Sequence, residues 1–326
     1  MNKKVRYNEP ALTTAHAEYL IRRMSRELRE GAIPHLDLSP FGHLDLGAIV
    51  NLLAFVFAAS EGRLPYKRPV QPPTMDLPID IEVRDFLFKM EFFHLTQYSY
   101  VSHEEVIRGA NVLAREEQAA NSRRRLDGRY PFMPLREVVS KVSEYSSPAD
   151  FESHCRKFIS SLQNTFGVAL ESHLNFQTEL VEEFWLPNKE IVENIYMHSA
   201  SWGLGAIQCS ERGALICYMD IGQGMRTTLD NRKEQLVKLL GETWNDNLAI
   251  RGAFVRGVTS VCGSSRGIGL AKVRNYVSEC GGNIECRSGS GKVVYSANGA
   301  NKGWNVEWIP GVQIRIWLPA PVKTPS

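Results

Sequence analysis

The chain has 326 residues, enough for about two domains at roughly 150 residues each, and 38 Lys and Arg against 36 Asp and Glu leave a formal charge of +2. That balance supplies no bulk field for nucleic acid or an anionic membrane. At 43% hydrophobic and 23% charged residues, the composition is that of a globular protein and excludes wholesale disorder and fibrous repeats.

Residues 1–10 mix Lys3, Lys4, Arg6 and Glu9 with polar residues and contain no apolar segment, so no secretory signal is expected and the protein is expected in the cytoplasm. Residues 33–39 alternate like a short strand, and residues 44–60 follow as a helix that is apolar nearly all round. The most apolar part, residues 46–59, carries Asn51 and falls short of the about 20 residues a membrane helix needs. A buried helix and no membrane association are therefore expected. Residues 63–78 hold Pro65, Pro69, Pro72, Pro73 and Pro78, which cannot continue a helix or a central strand and predict a loop or an extended crossing. Residues 81–93 place Val83, Phe86, Leu87, Met90 and Phe93 at helical spacing. The two helices are expected to cover one small sheet, giving a smaller α/β domain over residues 1–100.

Periodicity weakens over residues 101–145, which are expected to form a connector. Arg123, Arg124 and Arg125 have no interleaved aromatic side chains and suit an exposed loop better than a nucleic-acid platform. His103-Glu104 is expected to be an ordinary surface pair. Ser147-Pro148 has the form of a helix cap followed by proline in the first turn, with Phe151, Cys155, Phe158 and Leu162 spaced behind it. A second domain is expected over residues 146–326. Cys155, Cys209, Cys217, Cys262, Cys280 and Cys286 include no Cys-x-x-Cys pair, so neither a zinc ribbon nor a disulfide scaffold is expected.

Three segments of the second domain carry chemistry. In the first, Pro187 is expected to start a helix on which Glu190, Asn194 and His198 recur every four residues and share one face. An amide oxygen is a hard ligand suited to Mg²⁺, and a carboxylate beside it can orient or deprotonate water; the same stripe also suits an exposed helix face. The second segment is a β-rich run, Leu215 to Met219, ending in Asp220-Ile-Gly222-Gln-Gly224. An Asp delivered by a strand can accept a hydrogen bond from an exocyclic amine such as that of adenine, and glycines two and four residues later let backbone approach a flat ligand. Taken alone, Asp-x-Gly-x-Gly is also an ordinary turn. The third segment, Gly263-Ser-Ser-Arg266-Gly267-Ile-Gly269-Leu270, precedes a helix expected to end at Gly281-Gly282. Glycines at a helix start expose N–H groups to phosphate oxygens, and no Gly-Lys-Ser/Thr follows to make a Walker loop.

In this order, the segments resemble the GHKL superfamily, the Bergerat ATP-binding fold shared by DNA gyrase, heat-shock chaperones, mismatch-repair proteins and histidine kinases. Glu190 to Ser199 resembles the N box, Asp220 to Gly224 the first glycine box and Gly263 to Leu270 the second; a closing strand at residues 311–319 completes the match over about residues 148–319. The resemblance implies a two-layer α/β sandwich with a mixed sheet covered by helices on one face, and ATP and Mg²⁺ as ligands. It implies that Asn194 coordinates Mg²⁺, that Glu190 is the general base, and that Asp220 reads the adenine amino group. Gly222, Gly224, Gly267 and Gly269 would shape the pocket, with His198 and Leu270 in the binding motifs and Arg266 and Lys272 as phosphate contacts. Residues 226–265 would form a mobile lid. Many kinases of this fold carry Thr after the glycine of the last strand, whereas Val312 stands here.

The N-terminal segment His35-Leu-Asp37-Leu-Ser39-Pro, followed by Leu44-Asp45-Leu46-Gly47-Ala48 and the apolar helix, resembles a STAS domain of the kind found in anti-sigma-factor antagonists. In such switches a Ser or Thr precedes the glycine and is phosphorylated; Leu46 takes that place, which implies docking without this switch. An unrelated αβ cap is the alternative. The expected function is that of a cytoplasmic ATP-binding regulator, binding Mg-ATP with slow hydrolysis and using lid closure to control an unidentified partner protein. The alternatives are a protein Ser/Thr kinase resembling anti-sigma-factor kinases and a binding module that holds ATP without turnover. No nucleic-acid partner is expected, and a homodimer is compatible with the sequence.

Overall fold

The computed structural model describes residues 11–66, 74–89, 92, 101–102, 132–137, 147–174, 178–198, 203–255, 257–258, 269–297 and 301–321. It combines helices and strands in two compact units, Met1–Tyr130 and Pro131–Ser326. The Arg123 to Arg125 triplet, His103-Glu104, Arg266, Gly267 and Cys262 lie outside the described residues.

In the first unit, β1 (Ala11–Leu12) leads into α1 (Thr14–Arg29), an element not anticipated from the sequence. Its signals are nonetheless local. Thr13 caps it through the His16 N–H, and Leu20, Ile21, Met24 and Leu28 form a buried stripe at helical spacing. Next come β2 (His35–Asp37), β3 (His43–Leu44) and α2 (Leu46–Ser60), the last capped by Asp45, which accepts from the Ala48 N–H at 3.1 Å. Every residue of α2 from Leu46 through Ala59 is buried, as its unbroken apolar sequence requires, and α1 packs against it. The expected single sheet is two: β1 pairs with β3, while β2, β4 (Thr74–Asp76) and β5 (Val101–Ser102) form a parallel sheet with β4 in the centre. A central strand therefore sits inside the proline-rich stretch expected to exclude one. It survives because Pro72, Pro73 and Pro78 flank residues 74–76 and remove no amide from the strand itself. Helix α3 (Ile81–Lys89) follows.

The second unit begins inside the stretch expected to be a connector: β6 (Phe132–Glu137) is the edge strand of a five-stranded sheet ordered β6-β7-β8-β10-β9. Its other strands are β7 (Gly203–Ser210), β8 (Gly213–Asp220), β9 (Asn283–Ser296) and β10 (Lys302–Pro319). Every pairing is antiparallel, which corrects the expected mixed sheet. Strands β9 and β10 pair as an antiparallel hairpin, and β10 runs along β8 on its other side.

Helix α4 (Pro148–Leu174) starts where expected, with the Ser147 hydroxyl accepting from the Asp150 N–H at 3.2 Å. Helix α5 (Thr178–His198) is continuous through Pro187, so Pro187 does not start a helix. An interior proline takes one donor from the ladder. Beside it, the buried Asn188 side chain donates to the Phe184 carbonyl at 2.7 Å. Then come α6 (Gly224–Thr228), a 3₁₀ turn (Asp230–Arg232), α7 (Lys233–Leu240), α8 (Asp246–Ala253) and α9 (Gly269–Glu279). Helices α4, α5, α8 and α9 pack through Phe166, Trp185, Ile191, Ile195, Ile250, Phe254, Val273 and Val277 onto Ile207, Ile216, Tyr218, Ile284, Ile314 and Ile316 of one sheet face. Alternate residues Cys217, Met219, Arg287 and Gln313 on the other face are also buried. No helix among the described residues is long and apolar enough to cross a membrane, and Cys209, Cys217, Cys280 and Cys286 are free thiols.

Candidate functional site

Strand β8 is buried along its whole length and ends at Asp220, itself 7% exposed. A carboxylate so placed needs polar neighbours to remain charged. The Gly222 N–H donates to its Oδ1 at 2.8 Å, closing a turn directly after the strand. The chain then enters α6 through Gly224 at φ +76°, a left-handed conformation suited to glycine.

The opposite wall comes from β10. Gly311 has φ +78°, and a Cβ there would collide with the carbonyl oxygen and the carboxylate of Asp220. Gln313 Nε2 donates to the Asp220 and Pro310 carbonyls, both at 3.2 Å. From β9, Ser288 Oγ accepts from the Met225 N–H and donates to the Gly311 carbonyl, both at 2.9 Å. From sequence, Gly311 is marked only as the glycine that opens the closing strand, without a role at the site; Ser288 and Gln313 are not singled out, and nothing near residue 288 in the sequence marks that serine.

Helix α5 passes close to this strand end. Gly203, paired with Asp220, has no room for a Cβ against the Met219 carbonyl and Ile195 of α5. On the same helix Glu190 is half-buried and Asn194 is exposed. Glu190 meets the first residue of α9, where a Cβ on Gly269 would overlap its carboxylate and Cβ. Leu270 packs against the core, Lys272 is exposed in the first turn of α9, and His198 is the last residue of α5. The fold thus joins Asp220, Gly222 and Gly224 to Gly311, and separately joins Glu190 to Gly269.

Burial dominates the thiol and phenol chemistry near the site. It pushes the Cys286 thiol far up, with the charges of Glu285 and Asp220 adding to the effect, and holds the Tyr218 phenol well above its usual range. Both stay protonated near neutrality and can serve as walls, not as bases. Among the described residues no group of three or more His, Cys, Asp or Glu side chains is arranged to hold a metal ion. A cation here would rest on the Asn194 amide oxygen together with oxygens of a ligand and of water, a donor set suited to Mg²⁺.

Part of the segment expected to be mobile, residues 226–265, is built into the core. Leu248, Ala249 and Ile250 of α8 and Phe254 just after it are fully buried, and the last three belong to the main core. The start of α8 is tied to the β9–β10 hairpin. Asp246 Oδ2 accepts from the Ser290 N–H at 2.9 Å and from its hydroxyl at 2.6 Å, Asn247 Oδ1 accepts from the Lys292 N–H at 3.0 Å, and Asn247 Nδ2 donates to Asn305 Oδ1 at 3.0 Å. Arg251 forms a two-point ion pair with Glu242. Set against protein-family models and curated proteins, the chain matches none.

Proposed function

We propose that the second unit is an ATP-binding domain of the GHKL type, with a Bergerat fold, and that the chain is a regulator whose partner contacts follow its nucleotide state. The observation that carries this reading is the buried Asp220 carboxylate at a strand end, bordered by backbone at Gly222, Gly224 and Gly311, an acceptor of the kind that suits the amino group of a flat base. The Asp220 acceptor suits the amino group of an adenine ring.

Asn194 would hold Mg²⁺, which when bound supplies charge neutralisation at the phosphates. Glu190 would take the proton of a water directed at the terminal phosphate, and its contact with Gly269 places that carboxylate at the start of α9, the end of a helix that favours anionic groups. Lys272 in the same turn adds an exposed cation. Because α8 belongs to the core, it would not take part in a lid movement. The first unit, with its parallel sheet and fully buried α2, would serve as a STAS-like docking module. Leu46 is wholly buried and has no hydroxyl to modify.

Calorimetry with ATP tests the pocket. The parent protein is expected to bind and Asp220→Asn to lose binding, since the Gly222 N–H takes the amide oxygen and leaves an NH2 donor where the adenine amine needs an acceptor. Binding by Asp220→Asn at parental affinity would overturn the assignment. Radiolabel from γ-labelled ATP appearing as free phosphate supports hydrolysis, and its appearance on a protein would favour the kinase alternative.

A further inference from the structure

We propose that Ser288 and Gln313 are positioning residues that lock the backbone on both sides of Asp220 and thereby set which base the pocket accepts; this inference rests on the nucleotide reading above. The β9–β10 ladder loses its register between Ile309 and Val312, so regular strand pairing does not fix the point where Gly311 stands against Asp220. Two buried side chains supply the missing restraint. Ser288, directly across from Val312, uses one hydroxyl to join the Met225 N–H to the Gly311 carbonyl, tying the turn after Gly224 to β10. Gln313 follows Val312 along the strand and therefore works from the opposite face. Its amide joins the Asp220 carbonyl to that of Pro310.

Together these bonds make a closed circuit through the end of β8, the Gly224 turn, β9 and the irregular part of β10. A carboxylate that discriminates an amine from a carbonyl on a base must be held to within about half an ångström. Its backbone is held here by two side chains that need not touch the base themselves. Removing either takes away a hydrogen-bonded tie between buried backbone segments and lets them shift against each other.

The test uses the full chain with Ser288→Ala and with Gln313→Met, which preserves length and removes the donor. Amide hydrogen exchange at Met225 is followed in nucleotide-free protein, and affinities for ATP and GTP are measured by calorimetry. In Ser288→Ala the Met225 amide is expected to exchange at least about tenfold faster. In both variants the preference for ATP over GTP is expected to fall by at least about tenfold, a change that a loss of stability alone would not produce. A folded Ser288→Ala protein with Met225 still protected, or either variant with parental base preference, overturns the proposal; should Ser288→Ala not fold, Gln313→Met decides it. A parent protein that binds neither nucleotide overturns the nucleotide reading, while exchange at Met225 still tests the backbone lock by itself.

Discussion

The carboxylate of Glu190 lies where a Cβ on Gly269 would stand, so helix α5 meets the first residue of α9 at a point with no room for a side chain. Gly269→Ala must displace Glu190 or move α9. Overpacking of this kind costs about 1–3 kcal/mol, and denaturant unfolding is expected to show a loss in that range. A variant as stable as the parent would show that the two helices are not in contact in solution.

Replacing the same carboxylate by an amide separates binding from turnover. Glu190→Gln keeps the shape against Gly269 and removes the base, so ATP affinity should stay near parental while hydrolysis falls by about a hundredfold or more. Undiminished release of phosphate would remove Glu190 from the chemistry.

Asn194 is exposed on α5, and Asn194→Ala should change stability by no more than about 0.5 kcal/mol. Its effect belongs to the metal. Affinity for ATP with Mg²⁺ should fall about tenfold, and affinity in the presence of a chelator should be unchanged. Equal losses with and without Mg²⁺ would contradict a metal-binding role.

Asp246 anchors α8 to the hairpin through two bonds from Ser290, and hydrogen bonds to a charged group are worth about 1.5–3 kcal/mol each. Asp246→Ala should therefore lower the midpoint of chemical unfolding substantially. Arg226 approaches Asp246 only to 3.9 Å, with its own side chain 52% exposed, so Arg226→Ala should change stability by less than about 1 kcal/mol. Equal effects of the two substitutions would contradict the clamp.

Burial raises the Cys209 thiol from 9.0 to about 12. The folded chain then keeps a proton that the unfolded chain releases, so this group's stabilising contribution is complete below about pH 9 and declines as pH climbs toward 12. Thermal unfolding between pH 8 and 10.5 should show the decline, lessened in Cys209→Ala. A curve in which stability rises over that interval would contradict buried-thiol linkage.

Local chemistry determined much of this protein in advance. Ser147-Pro148, the all-apolar run at residues 46–59, Gly281-Gly282 after α9 and the β-rich approach to Asp220 each carry their structural consequence within a few neighbouring residues. Where a local rule was applied too broadly, the structure differs. Pro187 reads as a start signal because proline is favoured in first turns, yet α5 runs through it, held by packing of Phe184, Trp185 and Ile191 in the core. Three residues between prolines form a central strand because strand pairing depends on which amides remain, not on the density of prolines around them.

The sequence by itself determined which groups could perform chemistry: a carboxylate ending a strand, glycines after it, and a carboxylate and an amide one turn apart on a helix. Only the tertiary structure decided what surrounds them. Gly311, Ser288 and Gln313 reach Asp220 through the pairing of β10 with β8 and β9, and α8 joins the core through bonds to Ser290 and Lys292. These are contacts between segments distant in sequence. Their geometry arises from strand register and helix docking, and neither periodicity nor motif spacing encodes register between separate strands.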